Sequence, residues 1–141
     1  MRSEDDARAS AIQRIENAAI AAAILVAVIV AGGPWWLLFA LFLVFDLSAV
    51  GYLRSPRLGA LTYNLVHSYV GPALVALAYV VLAATGTPLT WLLLAGACWA
   101  FHVGVDRAIG YGLKLQDASH THLGPIGPAK RAEGSERSPG A

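Results

Sequence analysis

Apolar residues along this chain fall into four long runs, separated by short clusters of glycine, proline and charge. The first run covers residues 17–31 and is short, with Ile12 and Ile15 available to extend it. It stops at Gly32-Gly33-Pro34, a turn that no helix crosses. The second begins at Trp35-Trp36, continues through Phe39, Phe42 and Phe45 to Tyr52 and Leu53, and carries Asp46 as its only charge. A polar link, Arg54-Ser55-Pro56-Arg57, leads into a third run over residues 59–84, where Gly71-Pro72 predicts a kink. The fourth follows Thr85-Gly86-Thr87-Pro88, opens near Leu89 and Trp91, and ends near Tyr111. A hydrocarbon core about 30 Å thick needs roughly 20 mostly apolar residues per helix. The pattern therefore predicts an all-α polytopic membrane protein, a four-helix transmembrane bundle over residues 17–111. Residues 1–16 form an N-terminal segment, 112–124 a cap, and 125–141 a disordered tail rich in Gly, Pro, Ser and charge.

Composition supports lipid as the solvent, since 57% of the 141 residues are hydrophobic and 13% charged. Ten basic residues nearly cancel nine acidic ones and form no stripe among aromatics, which excludes nucleic acid as a partner. A lone Cys98 allows no intrachain disulfide and reads as a small core residue. The first run lacks a clear cleavage site and reads as a retained helix. Lysine and arginine set orientation, because short cytoplasmic segments carry them in excess. All ten lie before the first run, between the second and third, or close to and beyond the end of the fourth. This predicts a multi-pass inner (plasma) membrane protein with both termini cytoplasmic, and makes Trp35, Trp36 and Trp91 an outer aromatic belt.

With that topology, each polar residue in a run acquires a depth at about 1.5 Å per residue. Glu16, Asp46, Asn64, His67, His102 and Asp106 then all fall in the cytoplasmic half, although the helices alternate in direction. A charge at a helix centre costs about 2.5–3.5 kcal/mol on insertion scales, so Asp46, His67 and His102 should face the bundle. Asn64 and His67 are spaced i, i+3, and His102 and Asp106 i, i+4, which puts each pair on a single helix face. The bundle could thus gather two imidazoles, carboxylates and an amide in one pocket. Asp46, His67, His102 and Asp106 are the candidate catalytic groups, with His67, His102 and Asp106 as ligands if a divalent metal is held. The alternative for any one of them is a helix-to-helix hydrogen bond, or for Asp106 an ion pair with Arg107, Arg54 or Arg57. After the fourth run, glycines bracketing Tyr111 permit a sharp turn that folds residues 113–123 back under the bundle mouth, with His120 or His122 over the pocket.

Several separated blocks resemble a family of small bacterial membrane proteins catalogued as domain of unknown function 4260. These are Asp46-Leu47-Ser48 with Gly51-Tyr52; Tyr63-Asn64 with His67; His102 with Gly104, Asp106-Arg107 and Gly110-Tyr111-Gly112-Leu113-Lys114; and Thr121-His122-Leu123-Gly124. The chain departs from the family's pattern at Phe45, where a proline is frequent, and at His120, where an aromatic is. The resemblance implies the four-span architecture and points to His122 over His120. It implies no activity.

The expectation for function is a membrane enzyme whose pocket opens to the cytoplasm and takes a lipid-like or isoprenoid-like molecule from the inner leaflet. Asn64, Arg107, Tyr111, His122 and Glu16 are its candidate substrate-binding residues, Arg107 for an anionic head group. A proton- or metal-coupled carrier is the second expectation, weakened by an outer half that offers little beyond Ser68, Tyr69, Tyr79 and threonines. The third is an accessory subunit packing through small residues such as Gly96 and the alanine-rich first run, with a homo-oligomer among the arrangements this allows.

Overall fold

Alanine and straight-chain residues hold the start of the chain in one helix, α1 (Glu4–Val30), in the computed structural model, which describes residues 4–115 and 119–127. The helix starts well before the expected boundary at residue 17, because Glu4, Asp5 and Asp6 in the first turn favour its positive end. It ends at Gly32, whose φ of +69° suits only glycine, and there the Gly33 amide donates back to the Val28 carbonyl.

The second span opens with one α-helical turn, α2 (Leu37–Ala40), and continues as a tighter 3-10 helix over Phe42–Leu53. Twelve residues wound this way rise about 24 Å, against about 18 Å for an α-helix. The whole stretch thereby approaches the thickness of the hydrocarbon layer with fewer residues than an α-helix needs. Ser55 caps α3 (Pro56–Val66) by accepting the Leu58 amide at 3.2 Å, with Pro56 at the first helical position.

The third span is interrupted, and the break falls at His67–Tyr69, one turn before the kink expected at Gly71-Pro72. Proline blocks the helix preceding it, so the chain leaves α3 and restarts as α4 (Val70–Ala84) with Pro72 in the opening turn. Two of the freed carbonyls are satisfied by side chains of α5: the Trp99 indole donates to that of Val66 at 2.5 Å and Arg107 Nη2 to that of His67 at 3.3 Å.

The last helix, α5 (Thr90–Ile109), is the axis of the fold; α1, α2, α4 and the 3-10 segment pack on it, while α3 packs on the 3-10 segment. Its residues Cys98 and Phe101 join Ala21 and Leu38 in the core. Three helical stretches, Glu4–Val30, Pro56–Ala84 and Thr90–Ile109, are long and apolar enough to cross a membrane, and Leu37–Leu53 is a shorter apolar one. Trp35, Trp36 and Trp91 are exposed. The protein is an all-α membrane protein.

Close approach of the 3-10 segment to α3 rests on two glycines. A methyl group on Gly59 would collide with the Tyr52 ring, and one on Gly51 with Thr62 Oγ1, which itself donates to the Ser48 carbonyl at 2.8 Å. Gly59→Val is expected to lower the thermal midpoint in detergent, at about 1–3 kcal/mol. Leu61→Val, at a side chain 65% exposed on α3, should shift it by no more than about 0.5 kcal/mol.

Candidate functional site

Three elements deliver the site. Asp46 comes from the 3-10 segment, His67 from the capping position of α3, and His102 and Asp106 from successive turns of α5. One donor atom from each lies within 4.8 Å of all the others. The two imidazole Nε2 atoms are 3.0 Å apart. His67 Nε2 stands 3.5 Å from Asp46 Oδ1 and 3.4 Å from Asp106 Oδ2, and His102 Nε2 3.8 Å and 3.7 Å from the same oxygens. Asp106 thus pairs with the histidines rather than with the arginines that the alternative reading proposed for it.

Three of the four side chains are oriented from behind. His67 Nδ1 lies 3.0 Å from the Tyr63 carbonyl, which can only accept, so the proton belongs on Nδ1 and the lone pair on Nε2, facing the cluster. The His67 ring stacks on Tyr63 with centroids 3.6 Å apart. The Tyr63 hydroxyl donates to Asp106 Oδ2 at 3.2 Å. His102 is fully buried between Phe42 and Phe45, with ring centroids 4.5 Å and 5.3 Å away. Its Nδ1 makes no hydrogen bond among the described residues, so packing holds the ring. Asp46 is the accessible member, its side chain 43% exposed against 10% for Asp106.

With bonds of about 2.1 Å, the histidine-containing separations of 3.0–3.8 Å would subtend angles of about 90–130° at a common ion, whereas the two carboxylates, within 4.8 Å of each other, would have to lie no more than about 4.2 Å apart to share it. Two imidazoles and two carboxylates suit zinc, iron or manganese.

A cavity of about 450 Å³ opens beside the cluster, lined by Asp46, Ala49, Tyr52, Tyr63, Asp106, Tyr111 and Lys114. The segment after α5 builds its wall. Gly110 ends the helix at φ +103°, the Tyr111 amide returns to the Asp106 carbonyl at 2.8 Å, and Arg14 Nε from α1 donates to the Ala108 carbonyl at 2.9 Å. Residues 113–115 then meet a short hairpin of His120–Thr121 and Gly124–Pro125, through a bridge between Lys114 and Thr121.

The substrate-binding candidates are scattered around this arrangement. Tyr111 lines the cavity. Asn64 clamps the backbone of Lys114, donating to its carbonyl at 2.8 Å and accepting its amide at 2.7 Å. Arg107 lies 4.9 Å from the Tyr69 ring centre, on the far side of the break, and Glu16 is exposed on α1. His122 accepts the Leu113 amide through Nδ1 at 2.8 Å, and His120 is exposed, so the fold-back brings Lys114 rather than either histidine to the cavity. Of the expected tail, residues 128–141 lie outside the described residues. Tyr63 and Lys114 stand in the blocks that carry the family resemblance but are not among the site candidates. Tyr63 is four residues before His67 on the same helix face, a spacing that could have singled it out. Lys114 has no such periodic relation to the cluster.

Fold and cluster together define a polytopic all-α membrane protein with a His/Asp centre buried near one end of the bundle. The chain matches the family described as Domain of unknown function (DUF4260) over residues 10–126, and it belongs to that family. No curated protein and no solved structure matches it.

His122 supplies a pH test of the fold-back. Burial first, and the nearby Arg107 charge second, hold its imidazole below the ordinary histidine range. The folded segment therefore prefers neutral His122, and its stabilising effect is complete above the unfolded value of about 6.5 and lost as pH falls through the folded value. Hydrogen exchange at the Leu113 amide is expected to lose protection between pH 7 and pH 5, after correction for intrinsic rates. The His122→Ala variant should show no such pH dependence.

Proposed function

We propose that the protein is a membrane-embedded hydrolase that uses a divalent metal held by His67, His102 and Asp106, with Asp46 as the accessible base beside it, to cleave an ester of a lipid-like molecule. The convergence of four ionisable side chains from three elements, their donor atoms within 4.8 Å of one another, carries this reading. Isolated polar residues in a membrane are satisfied by single helix-to-helix hydrogen bonds, and nothing in that role calls for two imidazoles and two carboxylates to converge. A metal bound there would supply Lewis acidity to the ester oxygen.

The residues have distinct tasks. His67 and His102 would hold the metal through Nε2, the first ring oriented by the Tyr63 carbonyl and the second by two phenylalanine rings. Asp106 is held by the Tyr63 hydroxyl, and Asp46 faces the cavity where water can reach it. In hydrolysis, a water oxygen bonds to the carbonyl carbon or phosphorus while the bond to the leaving oxygen breaks. Asp46 is placed to take the water proton and return it to that oxygen, leaving an acid and an alcohol. The basic residues at this end of the bundle favour the cytoplasmic face of the plasma membrane, with the substrate arriving from the inner leaflet.

A coupled carrier is the second reading. It needs polar groups along a path to the other end, whereas the large cleft there, about 970 Å³ between α1 and α4 over α5, is lined mainly by aliphatic and small side chains.

Metal analysis of protein purified without chelator tests the proposal directly. One equivalent of zinc, manganese or iron is expected in the wild type and none in His67→Ala or His102→Ala. Tyr63→Phe should retain the fold and bind metal about 10–100-fold more weakly, because it frees Asp106. A folded wild type that takes up none of the three metals would end this reading.

A further inference from the structure

Lys114 is the cation of the cavity wall, and its position is built rather than incidental. The residue is 7% exposed. Asn64 reaches across from α3 to hold both its amide and its carbonyl, and the bridge to Thr121 holds it from the other side. With the backbone fixed at two points, the ammonium is carried over the aromatic faces that line the cavity, 5.0 Å from the Tyr63 ring centre and 5.7 Å from that of Tyr111. Lys114 and the carboxylates of the cluster thus line the same space of about 450 Å³.

We infer that this space is the head-group subsite of the proposed hydrolase, and that it takes the phosphate of an anionic phospholipid between Lys114 and the metal centre. The inference rests on the metal reading for one of its two cations, and on the cavity and Lys114 alone for the other. Three observations favour phosphate. A compact ammonium is a common phosphate partner, and a divalent ion opposite it completes the clamp used wherever phosphate charge is neutralised in a confined site. The volume exceeds what a bare carboxylate would fill. The cavity also lies beside the end of α5, where a chain crossing the bilayer would leave the apolar layer and meet the level of phospholipid phosphates. Tyr52 and Tyr111, on the same walls, offer apolar ring faces to the glycerol carbons.

The test uses full-length protein in detergent, with zinc or manganese and again after chelation. Three probes are titrated, namely dihexanoyl phosphatidylglycerol below its micelle concentration, dihexanoylglycerol, and inorganic phosphate. The phosphatidylglycerol is expected to bind tightest. Lys114→Met should weaken it about tenfold or more, Lys114→Arg should restore most of the loss, and metal content should be equal in all three proteins. Equal binding of dihexanoylglycerol, or a Lys114→Met variant that retains wild-type affinity, overturns the subsite. Lys114-dependent binding of inorganic phosphate at the same affinity assigns the site to free phosphate and overturns the lipid. Wild-type protein that holds no metal yet binds phosphatidylglycerol through Lys114 removes the metal reading and leaves the Lys114 subsite standing.

Discussion

Backbone groups inside a bilayer must find their partners within the protein, and the interrupted third span is where this constraint is most demanding. Pro72 stops a helix from passing straight through, and the carbonyls left at the end of α3 have no water to turn to. Trp99 and Arg107 answer two of them, and the His67 imidazole lies 3.0 Å from the Tyr63 carbonyl, which also accepts the His67 amide. The imidazole bond fixes the tautomer that leaves Nε2 free, and so orients a side chain of the cluster.

Packing around α5 converts that local arrangement into a site. Small residues let neighbours approach: Ala21 and Asn17 of α1 and the Tyr69 hydroxyl crowd against Gly104, and the Trp99 ring lies where a side chain on Gly71 would stand. The Tyr69 hydroxyl donates to Asn17 Oδ1 at 2.7 Å, tying the break to α1. His102 and Asp106, one turn apart on this crowded helix, are therefore more firmly held than Asp46, which sits on a thinner element and keeps an open side. Rigid donors and one accessible carboxylate form a division of labour that hydrolytic chemistry can use.

Much of this was legible in the sequence because lipid permits so few solutions. Four apolar runs with arginines at one set of ends specify an all-α bundle, and counting residues from those ends brings Asp46, His67, His102 and Asp106 to one level. What stayed hidden depends on backbone detail and long-range contact. The tight winding of Phe42–Leu53 has no compositional mark that separates it from an α-helix. The break could be expected near Pro72 but not placed at His67–Tyr69, since proline disfavours helix before itself without fixing where the preceding helix stops. Asn64 read as a pocket amide because its spacing from His67 is helical, whereas its partner is the backbone of Lys114, fifty positions away. No periodicity reports a contact of that range.

The 3-10 winding of the second span has a mechanical corollary. Each residue in such a helix turns about 20° further than in an α-helix and rises about 0.5 Å more. Gly51 is pinned against α3, and Asp46 lies five positions earlier. Relaxation of that stretch to α-helix would shorten it and swing the Asp46 carboxylate about 100° around the axis, out of the ring of donors. The place of Asp46 beside the other three side chains thus depends on that winding, the longer of the two, which a thicker bilayer favours.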